Sequence, residues 1–136
     1  MLTLAIIKPD AVASHKAGKV LAHLEQAGFT VRAARMVRLS TAQAEAFYSV
    51  HRERPFYRPL VTFMTSGPCI PLALDAPDAV PKLREVIGAT DPREAAPGTV
   101  RSLFAESKER NAIHASDSDE NAAREVGFFF AANEFA

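Results

Sequence analysis

The sequence predicts an α+β sandwich, a small antiparallel sheet of four strands with helices packed on one face of it. Four short runs, residues 2–7, 29–39, 69–74 and 128–131, are continuously apolar or alternate apolar with polar side chains, the pattern of strands. Between them apolar residues recur at helical spacing. With 136 residues, 48% of them hydrophobic and 24% charged, the chain has the size and composition of one globular domain, taken here as residues 1–136.

Each element has a local reason. The strand over residues 2–7 stops at Lys8-Pro9-Asp10. Val20, Leu21 and Leu24 mark a helix over residues 16–27, which Gly28 terminates. In the second strand Phe29, Val31, Ala33, Val37 and Leu39 fall on alternate positions, with Thr30, Arg32 and Arg38 between them, as in a half-buried strand. Ser40 and Gln43 have capping-box spacing at the start of a helix through Val50. Pro55 can open the next, with Leu60, Val61 and Met64 inward and Ser66-Gly67-Pro68 at its end. A further helix runs from Pro77 to Gly88, with Val80, Leu83, Val86 and Ile87 on one face. Ser118 or Asp117 caps a last helix through Val126; Gly127 is expected to end it and residues 128–131 to form the fourth strand.

Charge narrows the function. Sixteen basic and sixteen acidic residues cancel, so no general field draws the chain to nucleic acid or to an anionic membrane. An anionic ligand would have to be held by a local cluster of cations. The single cysteine, Cys69, allows no internal disulfide and indicates a reducing, cytoplasmic setting. The apolar run of residues 4–7 is too short for a signal-peptide core or a membrane span.

Residues 89–111 lack any sustained apolar period and contain Pro92, Pro97 and Gly98, a length of irregular chain more often functional than incidental. His114 follows it, trailed by Ser116, Asp117 and Ser118. A neutral imidazole is a competent phosphoryl acceptor near neutral pH and needs only an orienting partner for its other nitrogen. Glu125 can supply that partner and Ser116 a hydroxyl. Phosphoryl transfer also asks for positive charge, and Lys8, Arg84 and Arg101 are the candidates. Taken singly, each cation reads first as a surface residue, and an isolated histidine is a nucleophile only about one time in ten.

Six segments change those odds together. Ile7-Lys8-Pro9-Asp10, Arg54-Pro55-Phe56, Met64-Thr65-Ser66-Gly67-Pro68, Gly88-Ala89-Thr90-Asp91-Pro92, Pro97-Gly98-Thr99-Val100-Arg101 and the run from Asn111 to Ser118 resemble, in order and spacing, those of nucleoside diphosphate kinases. The resemblance covers nearly the whole chain. It implies a ferredoxin-like fold and a ping-pong phosphotransferase that acts on nucleoside triphosphates and diphosphates. It implies His114 as the phosphohistidine, supported by Ser116 and Glu125, and Lys8, Tyr48, Arg84, Thr90, Arg101 and Asn111 as phosphate- and ribose-contacting residues. Phe56 matches the base-stacking position, with Leu60 beside it. Mg²⁺ is implied as the cofactor, bridging nucleotide phosphates; Asp117 is the nearest candidate in the sequence for an outer contact. A homo-oligomer built from dimers, tetrameric or hexameric, is also implied. Leu103 and Lys108 depart from the family pattern around the base.

Other signals lead nowhere. Gly18-Lys19 lacks the upstream glycine of a P-loop, Ala13 standing in its place. His15 and His23 lack a third metal ligand, and His51 reads as a surface residue. A non-catalytic nucleotide-binding module of the same fold is the alternative reading; intact His114, Lys8, Arg101 and Glu125 argue against it.

Overall fold

The computed structural model describes all residues, 1–136. Strands β1 (Leu2–Ile7), β2 (Thr30–Ala34), β3 (Ile70–Asp75) and β4 (Ile113–Ala115) form one sheet in the order β2-β3-β1-β4. Every neighbouring pair is antiparallel, with Ile6 opposite both Pro71 and His114. Val37 adds an isolated bridge to Cys69 beyond the end of β2. The helices are α1 (Pro9–Ala13), α2 (Ala17–Gln26), α3 (Thr41–Phe47), α4 (Tyr57–Met64), α5 (Ala79–Ile87), α6 (Val100–Phe104) and α7 (Asp119–Phe129).

The expected helix boundaries hold where caps specify them. Ser40 and Gln43 close a reciprocal capping box at the start of α3. Ser118 accepts from the Asn121 backbone at the start of α7. Gly88, with φ 87°, ends α5; a side chain there would meet Thr99, whose hydroxyl oxygen lies 2.5 Å from an ideal Cβ.

Three expectations are corrected. Residues 128–131 are not a strand: α7 continues through Gly127 to Phe129. Its buried positions Ala122, Glu125, Val126 and Phe129 keep helical spacing across the glycine. That continued packing outweighs the roughly 1 kcal/mol penalty of a helical glycine. The fourth strand is β4, three residues around His114, too short to show a period. Finally, helices cover both faces of the sheet. Strand β1 is apolar at both parities, so Ala5 and Ile7 pack with Val20 and Leu24 of α2 and Leu83 and Ile87 of α5. Leu4 and Ile6 pack on the opposite face with Phe47, Met64, Val126 and Phe129. Each fully buried Leu or Ile contributes about 2 kcal/mol.

Candidate active site

The alternation of β4 decides where His114 points. Ile113 and Ala115 join the core beneath α2 and α5. His114, paired across the ladder with Ile6, projects to the other face, beside α3 and α7. There its ring meets the rings of Phe47 at 5.5 Å and Tyr48 at 6.1 Å, both nearly edge-on.

α7 returns over the same face and brings Glu125 to the imidazole, with Oε1 2.7 Å from Nε2. The same oxygen accepts the Ser116 hydroxyl at 2.8 Å. Ser116 is fully buried, so it braces Glu125 from behind and does not face the pocket. A carboxylate at Nε2 selects the tautomer protonated there, which leaves the lone pair on Nδ1. Burial lowers the His114 pKa below its ordinary 6.5, although Glu125 pulls the other way. Burial also pushes Glu125 up, but its hydrogen bond to His114 brings the net value down. The result near neutral pH is a neutral imidazole beside a charged carboxylate.

The cations arrive from three distant segments. Lys8 follows β1, and its ammonium donates to Asn111 Oδ1 at 2.8 Å, while the Asn111 amide donates to the Thr90 carbonyl at 3.3 Å. Burial and the neighbouring Arg101 lower the Lys8 pKa to about 8, against the attraction of Asp10. Arg101 lies on α6, which Thr99 caps, and donates to the carbonyls of Gly88 at 3.1 Å and Ile113 at 2.8 Å. Burial and Arg84 lower its pKa to about 10, so it stays charged. Arg84, from α5, donates to the Ala115 carbonyl at 3.4 Å.

Lys8, Arg84, Thr90, Arg101, His114 and Glu125 line one pocket of about 330 Å³, within the range of small-ligand sites. Asp117 and Asn121 complete its wall, with the Asn121 amide donating to Asp117 at 2.7 Å. A chain of zero net charge thus gathers its cations locally. The other expected residues lie around this centre. Asn111 is buried and reaches the pocket through Lys8. Tyr48 is buried beneath the imidazole, its hydroxyl without a partner. Phe56 stands at the rim, 50% exposed, its ring 5.3 Å from that of His51. Leu60 is half-buried against the core on that side. Leu103 and Lys108 are exposed.

His51 is a correction, because it lines the pocket instead of lying free on the surface. It occupies a 3-10 turn three residues after Tyr48, a helical spacing that offered a signal. Asn121 also lines the pocket, and its four-residue spacing from Asp117 is the one sign of this in the sequence.

The family model for nucleoside diphosphate kinase matches residues 2–135. The nucleoside diphosphate kinase of Halorhodospira halophila is 59% identical over 132 residues, 97% of this chain and 94% of that protein. That of Chlorobium luteolum is 57% identical over the same shares. Among solved structures, an Aquifex aeolicus nucleoside diphosphate kinase superposes with a TM-score of 0.97 at 46% identity, covering 99% of this chain and 98% of that one. A Halobacterium salinarum nucleoside diphosphate kinase, solved in complex with CDP, gives a TM-score of 0.94 at 33% identity, covering 100% of this chain and 91% of that one. From motif order, fold and similarity over nearly its full length, the chain belongs to the nucleoside diphosphate kinase family.

Proposed function

We propose that the chain moves the terminal phosphoryl group of a nucleoside triphosphate onto His114 and then onto a second nucleoside diphosphate. One observation carries this reading: Glu125 ties up Nε2 of His114, and Nδ1 is free beside a pocket lined by Lys8, Arg84 and Arg101. The Nδ1 lone pair attacks the terminal phosphorus, the bond from that phosphorus to the bridging oxygen breaks, and the nucleoside diphosphate leaves with the electrons. The incoming diphosphate reverses the step. Glu125 stabilises the positive charge that develops on the ring, and the three cations meet the charge spreading over the phosphoryl oxygens.

Phe56 at the rim offers a stacking face to any base, consistent with broad base specificity. No group of three or more His, Cys, Asp or Glu side chains forms a metal cage. Mg²⁺ held chiefly by nucleotide phosphates suits that residue set, and Asp117, which lines the pocket, is the candidate for an outer contact. When bound, it would supply charge neutralisation between the phosphates. The expected assembly is a homo-oligomer built from dimers, as a tetramer or hexamer. A cytoplasmic location agrees with the free, buried Cys69, and no helix is long and apolar enough to cross a membrane.

Incubation with a nucleoside triphosphate and Mg²⁺, followed by intact mass measurement, tests the reading. Wild type should gain one acid-labile phosphate and His114→Ala none. A His114→Ala protein that is still labelled and still turns over would overturn it.

A further inference from the structure

Ala112 has φ 75°, a conformation that L side chains rarely adopt, and no glycine relieves it. The Ile113 amide donates to the Asn111 carbonyl at 2.9 Å, which makes residues 111–113 a γ-turn with positive φ, a strained form. Asn111 and His114 flank this turn, so its shape fixes where both side chains emerge. Such a conformation persists only where its surroundings over-determine it.

Two bonds hold Ala112. The Lys8 amide donates to its carbonyl at 2.9 Å, continuing the β1–β4 ladder. The carboxylate of Asp10, in the first turn of α1, accepts the Ala112 amide at 3.0 Å. Asp10 is 4% exposed, and its second oxygen is buried without a hydrogen-bond partner, so this backbone bond is the one the carboxylate makes. We infer that Asp10 is a positioning residue: it clamps Ala112 in the strained turn and thereby sets the imidazole of His114 in line for phosphoryl transfer. Asp10 does not line the pocket: it reaches His114 only through the backbone, its other effect being an attraction that favours the charged form of Lys8.

The inference rests on His114 as the acceptor, and single-turnover phosphorylation at saturating triphosphate separates the two. If wild type takes up no phosphate, the acceptor reading fails; if wild type is labelled and Asp10→Ala is labelled equally fast, only the clamp fails. Asp10→Ala should slow labelling about tenfold at saturating nucleotide, since a relaxed turn misplaces the ring even when every site is filled. Asp10→Asn keeps an acceptor oxygen and should stay within about threefold of wild type; a loss as large as that of Asp10→Ala would assign the effect to charge and overturn the clamp. The decisive variant is Asp10→Ala/Ala112→Gly. Glycine adopts positive φ without strain, so the clamp becomes dispensable and labelling should return to within about twofold of Ala112→Gly alone. Equal losses on both backgrounds overturn the proposal. Should Asp10→Ala fail to fold, the double variant is expected to fold; if it does not, the proposal is wrong.

Discussion

Lys8 is where the fold gives up stability for its pocket, and Lys8→Met exposes how much. The ammonium is buried, and its pKa falls from 10.5 to about 8, chiefly through desolvation and then through Arg101. Keeping it charged at neutral pH therefore costs the folded state about 3 kcal/mol. The substitution also strips Asn111 Oδ1 of its donor, a loss of about 1 kcal/mol. The net gain of about 2 kcal/mol should raise the melting temperature by roughly 6 °C in a domain of this size. The sign with pH follows from linkage. A lysine with a depressed folded pKa penalises the fold fully below about 8, and the penalty fades as pH rises to 10.5, where the unfolded chain also loses the proton. Calorimetry across that window should show the advantage of Lys8→Met greatest below about pH 8, vanishing before 10.5 and slightly reversed there, while phosphoryl transfer is lost at every pH. An advantage that is flat, or that widens with rising pH, would refute the reasoning.

The same shifts shape catalysis. kcat/KM should be bell-shaped, falling on the alkaline side through about pH 8 as Lys8 deprotonates. Its acid limb should lie below 6.5 because the His114 pKa is lowered; an acid limb above 6.5 would contradict that assignment. Gly88→Ala forces a Cβ to within 2.5 Å of the Thr99 hydroxyl at a φ of 87°, and Gly88 also presents the carbonyl that orients Arg101. It should lower stability by more than about 1 kcal/mol and slow transfer, read by melting and single-turnover assays; a variant with wild-type transfer would dissociate the Gly88 carbonyl from the Arg101 role. Leu83→Ala, on the buried face of α5, should lose about 2–5 kcal/mol by denaturant titration, and its phosphohistidine should still form. A loss of phosphate uptake in the folded variant would show the core and the pocket to be coupled.

Elements with local causes were legible in the sequence. The capping box at Ser40 and Gln43, the stop at Gly88 and the apolar run of β1 each depend on side chains a few residues apart. β4 was not legible, because three residues carry no period and its register is set by β1, more than a hundred positions away. The C-terminal end of α7 was misplaced because glycine and three phenylalanines suggest a stop and a strand. The spacing of Ala122, Glu125, Val126 and Phe129 already contained the helix. At the site, chemistry was readable by residue type, but the bonds that orient it were not. Arg101 is held by two backbone carbonyls, and no pattern of side chains announces a carbonyl.

The ammonium of Lys8 and the amide of Asn111 meet across 103 positions of sequence. Neither a nascent chain nor a folding intermediate can assemble this site until β4 has paired with β1 and α7 has closed over it. Loop closure of that length is slow relative to local helix formation. Acid-labile phosphate taken up during refolding would therefore count the molecules in which these long-range contacts are made, while circular dichroism counts helices whether or not they are. The enzyme would carry a chemical reporter of its own long-range assembly.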